Sequence, residues 1–293
     1  MHFIYADAHF CTGSAHSKDH SPCQDYAIAD SELDLPFAIV SDGCSSSGRT
    51  DLGARVVALA ARKILHTNPL ENQAAHGFQS RLLIEVADLA KALELDENDL
   101  DATVGLVQAR SNGEATALLF GDGVIAVRNG QEVSVTIVDW AGNLPGYPNY
   151  LLNWDRLDAF ASQSVEYSFS EDRPPCRIRN YRLTTTNNLE HFSGSSFTTS
   201  LESEESRDVP AGLKGLYANI HQADVIAVMT DGVSQVSEIE FGNVVGELMQ
   251  IKSSRQGMFV TRRLSRALNS WSKRGSYPVD DIAMAAIAAE AKA

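Results

Sequence analysis

Phe37-Ala38-Ile39-Val40-Ser41-Asp42-Gly43 is a continuous apolar run stopped by a small polar residue, an aspartate and a glycine. Four apolar residues without polar alternation read as a strand buried on both faces. The Asp-Gly pair marks where that strand empties into a loop. The same ending recurs in Val225-Ile226-Ala227-Val228-Met229-Thr230-Asp231-Gly232, and Phe120-Gly121-Asp122-Gly123 sets an aspartate between two glycines. Asp280-Asp281 stands immediately before a last apolar run at 282–289. Any one Asp-Gly pair is commonly just a turn, but aspartates at the ends of several separate strands form a pattern that turns alone do not require.

Working outward, 3–11 and 26–29 are β-like runs ahead of this strand. Behind it, Leu52, Val56, Leu59, Ala60 and Ile64 recur at helical spacing over 50–64, with Thr50 as the expected N-cap. A second helix is expected at 78–95, with Leu82, Val86, Leu89 and Leu93 on one face. Runs at 103–109, 115–120, 124–128 and 133–138, broken by Asn112-Gly113 and Asn129-Gly130, read together as an antiparallel meander. The stretch 139–211 has no sustained period and reads as an irregular flap or insertion with one or two strands. Its Trp140, Tyr147, Tyr150 and Trp154 are expected to be buried beneath a long loop. Regular structure returns with a strand at 224–229, helices at 241–251 and 259–271, and a strand at 282–289. This order predicts sheets packed on each other with helices outside, in one α+β domain spanning 1–293.

The chain has 293 residues, 44% apolar and 21% charged, an ordinary globular composition. Its 24 Lys+Arg against 38 Asp+Glu leave a net charge of −14. That field repels nucleic-acid phosphates and anionic membrane surfaces, so neither is an expected partner. No basic segment followed by an apolar stretch opens the sequence, and no apolar run approaches about 18 residues, so the expected setting is cytoplasmic. The four cysteines lie scattered without a CxxC pair and read as free thiols; Cys44, beside carboxylates, reads as inert.

Hard divalent cations take oxygen ligands, so a magnesium or manganese centre needs carboxylates converging from several strands and no Cys or His. Asp42, Asp231 and Asp280 could supply that set, and Gly43 adds a carbonyl that no side chain blocks. Two such ions about 3.5–4 Å apart can activate a water and clamp a phosphoryl group without a protein nucleophile. No G-x-S-x-G elbow, Walker loop, H-E-x-x-H or strand-to-helix G-x-G-x-x-G competes with this set.

With these residues in place, the chain resembles the metal-dependent Ser/Thr protein phosphatases of type 2C, the PPM family, in its bacterial branch. His20-Ser21-Pro22-Cys23-Gln24-Asp25-Tyr26 is similar to the family's N-terminal acidic motif, and 37–54, with Val40-Ser41-Asp42-Gly43 and Gly53-Ala54, to its second. Asp101-Ala102-Thr103-Val104 falls where the family has Gly-Thr-Thr, and 115–130 reads like its strand, Gly-Asp turn and hairpin. The stretch 224–236 is similar to its strand and Ser/Thr-Asp-Gly, and Asp280-Asp281-Ile282 to its terminal Asp-Asn-Ile. The resemblance implies a four-layer α-β-β-α sandwich of two antiparallel sheets flanked by helices. It implies that Asp42 bridges two Mn²⁺ or Mg²⁺ ions, that the Gly43 carbonyl binds one, and that Asp231 and Asp280 hold the other. Asp25 lies beside them, and Asp122 with Asp231 matches a third, weaker metal site.

The sequence departs from that family at four places. Gln24 stands where the family often has Glu; His20, the candidate contact to the substrate phosphate, stands where many members place a phosphate-binding Arg; Cys44-Ser45-Ser46-Ser47 replaces a His- or Met-Gly-Gly turn; and 139–211 does not match the usual flap. The resemblance implies hydrolysis of phosphoserine and phosphothreonine monoesters, with a phosphorylated protein as substrate and a cognate Ser/Thr kinase as counterpart. The alternative is a catalytically weak member acting as a metal-dependent regulatory or phosphopeptide-binding module. A two-metal hydrolase of another phosphate ester is a third reading.

Overall fold

Strands buried on both faces need covering on both faces, and the computed structural model shows how this is met. It describes residues 2–32, 34–166, 176–183, 189–191, 198–201, 215–252 and 255–290. The strands are β1 (Phe3–Cys11), β2 (Asp25–Asp30), β3 (Phe37–Asp42), β4 (Val104–Ala109), β5 (Ala115–Phe120), β6 (Gly123–Asn129) and β7 (Glu132–Trp140), followed by β8 (Cys176–Leu183), β9 (Leu189–His191), β10 (Thr198–Leu201), β11 (Leu216–Ile220), β12 (Val225–Met229) and β13 (Ile282–Ala289). The helices are α1 (Ser14–Asp19), α2 (Thr50–Thr67), α3 (Ala75–Ala92), α4 (Trp154–Glu166), α5 (Phe241–Leu248) and α6 (Phe259–Lys273). A seven-stranded sheet runs β1-β13-β12-β6-β7-β8-β9 and a six-stranded sheet runs β10-β11-β5-β4-β3-β2, with every pairing antiparallel.

Alternation along β3 explains its unbroken apolar run, since successive side chains point to opposite faces. Ala38 and Val40 face the other sheet, where they join Ile226, Val228 and Ala285. Phe37 and Ile39 face outward and pack with Val57, Ile64, Phe78 and Leu82 of α2 and α3. On the far side, Ala227, Met229, Met284 and Ala286 lie under Val245, Leu248, Leu264 and Trp271 of α5 and α6. The result is the expected four-layer α-β-β-α sandwich. Among the described residues no helix is long and apolar enough to cross a membrane.

Several local expectations are corrected. The four runs from 103 to 138 do not form one meander: β4 and β5 pair in the six-stranded sheet, and β6 and β7 pair in the other. Gly121 and Gly123 take φ of 90° and 138°, values that favour glycine, and at this point the chain crosses between sheets instead of closing a hairpin. Thr50 is the first residue of α2 and Arg49 its N-cap. The Thr50 hydroxyl instead donates to the Cys44 carbonyl at 2.9 Å and accepts from Gln24 Nε2 at 3.1 Å. Helix α3 stops at Ala92, with Glu94 at φ 54°, which leaves Leu93 58% exposed past the helix end.

The 139–211 stretch is more regular than its composition suggests. It carries α4, whose Arg156 Nη2 donates to both oxygens of Asp101 at 2.7 Å, and β8 along the edge of β7. Asn149 Nδ2 adds a 2.8 Å bond to Asp101. These contacts hold 141–156 against the loop that follows β3, where Cys44 N donates to the Asp101 carbonyl at 2.8 Å. Trp140 and Tyr147 are buried as expected and Tyr150 is half-buried, but Trp154, at the start of α4, is 72% exposed. The remainder of the expected flap, 167–175, 184–188, 192–197 and 202–211, lies outside the described residues.

Candidate metal centre

The antiparallel register of β2 and β3 sets Asp25 directly opposite Asp42 at one end of the six-stranded sheet. In the facing sheet, the end of β12 and the start of β13 bring Thr230-Asp231 beside Asp280-Asp281. Thr230 ties the two sheets together: its hydroxyl donates to Asp25 Oδ2 at 2.6 Å and accepts from Ala283 N at 2.9 Å. The carboxyl of Asp42 lies beside those of Asp25 and Asp231. Gly232 permits this approach, because a Cβ there would lie 1.8 Å from the Asp281 carbonyl oxygen. Gln235 then reaches back, donating through Nε2 to Asp231 Oδ2 at 3.4 Å and Asp280 Oδ2 at 3.2 Å.

Asp42, Gly43, Asp122, Asp231 and Asp280 line one cavity of about 100 Å³, walled by Cys44, Ser45 and Ser46 and closed by Asn143, Pro145 and Tyr147. Asp25 sits immediately behind Asp42, 1% exposed. All six residues expected to hold metal are therefore brought together. His20 is not: it is exposed, caps α1 in a left-handed conformation (φ 57°) and does not line the cavity.

Burial raises the carboxyls of Asp25, Asp42 and Asp231 above the ordinary aspartate range, because the charged form loses its hydration. The charges of Asp25, Asp231 and Asp122 push Asp42 further in the same direction, and Asp280 does so for Asp231. Burial and then Asp231 push Asp122 up to about 8. Among the described residues no Lys or Arg lines the cavity. A crowded all-oxygen set that cannot ionise together without a counter-charge fits a hard divalent cation.

This set makes the metal-free protein sensitive to pH. A carboxyl whose folded pKa is raised keeps its proton in the folded state after the unfolded chain has released it. Its stabilising contribution is present below the unfolded pKa and is lost as pH rises through the folded value, which for Asp122 is about 8. In excess chelator the melting temperature is expected to fall between pH 6 and pH 9. Added Mn²⁺, which requires deprotonated ligands, is expected to raise it more at pH 8 than at pH 6. A chelated protein whose melting temperature is flat over that range contradicts the coupled carboxylates.

Sequence reasoning left four contributors unassigned. Asp281, 3% exposed, accepts Gly13 N–H at 2.7 Å and Gln24 N–H at 2.6 Å and pairs with His16 Nδ1 at 2.9 Å, fastening the segment before β2 to β13. His16, Asp280 and Asp281 each place one donor atom within 4.8 Å of the others. Gln235 orients two carboxylates, and Tyr147, buried and in contact with Cys44, lies close enough to Asp42 and Asp122 that their charges act on it. The spacing Asp231-x-x-x-Gln235 was the one available sign of Gln235. Nothing local to 141–152 announces that this stretch returns over the site.

Residues 12–144 match the family model described as protein phosphatase 2C. Among curated proteins none matches the sequence. Among solved structures, the chain is similar to the PPM Ser-Thr phosphatase MsPP from Mycobacterium smegmatis, at 10% identity and a TM-score of 0.55, over 98% of this chain and 99% of that one. It is also similar to the S. agalactiae serine/threonine phosphatase, at 12% identity and a TM-score of 0.54, over 97% of this chain and 99% of that one. Stp1 from Staphylococcus aureus, a serine/threonine phosphatase, is similar at 10% identity and a TM-score of 0.52, over 99% and 98%. Sequence similarity to protein phosphatase 2C thus spans 12–144, and the fold overall is similar to that of these bacterial serine/threonine phosphatases.

Proposed function

We propose that this protein is a metal-dependent phosphoprotein phosphatase that hydrolyses phosphoserine and phosphothreonine monoesters. The observation that carries the reading is the convergence of Asp42, Asp122, Asp231 and Asp280, from the ends of separate strands, on one small cavity with Asp25 directly behind Asp42. Asp42, the Gly43 carbonyl, Asp231 and Asp280 would hold two Mn²⁺ or Mg²⁺ ions, with Asp25 beside them, and Asp122 with Asp231 a third, weaker one. When bound, such ions supply a water of lowered pKa and neutralise charge on the phosphoryl group.

The chain's own residues position that chemistry. Thr230 fixes the orientation of Asp25, and the Gln235 amide does the same for Asp231 and Asp280, the kind of support that sets ligand geometry. With no Lys or Arg among the described residues of its wall, the cavity repels a phosphate until cations are present, so substrate binding and catalysis share one metal requirement. The same reading carries a cytoplasmic setting, a phosphorylated protein substrate and a Ser/Thr kinase that supplies it.

Gln24 bears on the alternative of a weakly catalytic regulatory module. Its Nε2 is spent on Thr50, while its Oε1 is buried without a partner and carries no charge. Hydrolysis of p-nitrophenyl phosphate and of its diester analogue with Mn²⁺, with Mg²⁺ and with excess chelator separates the readings. The phosphatase is expected to turn over the monoester in metal only. Metal binding with no turnover would favour the module, and preference for the diester would favour a different phosphoesterase.

A further inference from the structure

At the opposite end of the seven-stranded sheet from the metal centre, a second cavity of about 360 Å³ opens between the end of α5 and the first turns of α6. It is lined by Gln250, Lys252, Gln256, Arg262, Arg263 and Arg266, with Ile251 and Phe259 as its apolar floor. Of its eight lining residues among those described, four are cationic and none is acidic, in a chain whose net charge is −14. Two more guanidiniums lie alongside: Arg128 donates to the Met249 and Ile251 carbonyls at 2.7 and 2.8 Å, and Arg255 to the Asp224 and Ala289 carbonyls at 3.0 and 2.6 Å.

The acidic groups facing this cluster do not balance it. Glu247 is shared between Arg263 at 3.5 Å, Arg274 at 3.2 Å and Trp271 Nε1 at 2.8 Å. Asp7 accepts Thr261 N–H at 2.9 Å, and Asp224 accepts Gly130 N–H at 2.8 Å. Arg262 donates to the Gln256 carbonyl at 3.0 Å. Arg263 has its Nε buried without a partner, and Arg266, one helical turn on, repels it. Neither Lys252 nor Arg266 has an ion pair among the described residues. Holding several like charges around one open cavity is unfavourable unless an anion relieves it. Arginine forks, in particular, match the oxygens of a phosphoryl group.

We infer that this cavity is a binding site for a phosphoryl dianion, separate from the metal centre. The volume is at the lower end of the roughly 300–1,000 Å³ of small-ligand pockets, enough for a phosphorylated side chain or a small polyphosphate. The strand β12 runs between the two sites, at about 3.3 Å per residue, so one phosphate cannot touch both. The inference does not depend on the proposed catalytic activity.

Titration calorimetry on the metal-free protein in excess chelator tests it, with pyrophosphate, a phosphoserine peptide and its unphosphorylated counterpart as probes. Under those conditions the acidic cavity has no cation to attract phosphate. Pyrophosphate is expected to bind wild type and Asp42→Asn equally. Binding should weaken at least tenfold in the double variant Lys252→Glu/Arg266→Glu, whose side chains are exposed and whose circular dichroism should be unchanged. Phosphopeptide binding lost in the same double variant would make a phosphoprotein the source of the group, whereas binding of pyrophosphate alone would make it a small phosphate ligand. Absence of binding by either phosphorylated probe, or binding indifferent to the double substitution, overturns the inference.

Discussion

Asp42→Asn is expected to lower metal-dependent monoester turnover by about 10³-fold, the equivalent of several kcal/mol of transition-state stabilisation by bound metal. The melting temperature of the metal-free protein should be unchanged or higher. The reason is electrostatic: Asp42 is buried against Asp25 and Asp231, and its own charge is disfavoured there. An amide of the same shape removes repulsion from the cluster. Activity falls because the same charge is what the expected cations require. Activity measured alongside thermal melting therefore distinguishes this account from simple unfolding. A variant that melts normally and keeps full turnover would remove Asp42 from the mechanism.

Asp281→Ala acts through structure. Its carboxylate is nearly buried and accepts the Gly13 and Gln24 backbone N–H groups while pairing with His16. Truncation orphans two donors, each worth about 1–3 kcal/mol when left unsatisfied. A loss of about 3 kcal/mol is expected, or roughly 5–10 °C in melting temperature for a chain of this size. Asp281→Asn keeps one acceptor oxygen and should lose less than half as much. Because Gln24 leads directly into β2 and Asp25, the alanine variant should also lower turnover. Equal melting of alanine and asparagine variants would show that these hydrogen bonds do not hold the segment.

Much of this was legible in the sequence because burial leaves a strong signature. The unbroken apolar runs at Phe37, Val225 and Ile282 identify strands enclosed by a second sheet and by helices, and they place aspartates at their ends. Three strands, β1, β5 and β13, have the bounds that the sequence indicates. The meander failed because Gly121-Asp122-Gly123 looks like a hairpin turn locally, and only the packing of two sheets decides that the chain crosses between them. Helix α4 was hidden because its polar, aromatic composition resembles a loop; its place is set by Arg156 against Asp101, some 55 residues away in sequence. Within the site, the clustered carboxylates could be found from strand ends alone. Gln235, Asp281 and His16 could not, since each acts through a hydrogen bond to another polar group and leaves no periodic trace. His20 shows the converse: motif register placed it near the phosphate, but it caps α1, stands exposed and does not line the cavity.

The most direct test of the central claim is release of inorganic phosphate from a phosphoserine or phosphothreonine peptide by wild-type protein, stripped with chelator and then titrated with Mn²⁺. The account predicts no release from the stripped protein and turnover that rises with Mn²⁺ to saturation. Release that persists in excess chelator, or a folded protein that binds Mn²⁺ and releases none, would contradict it.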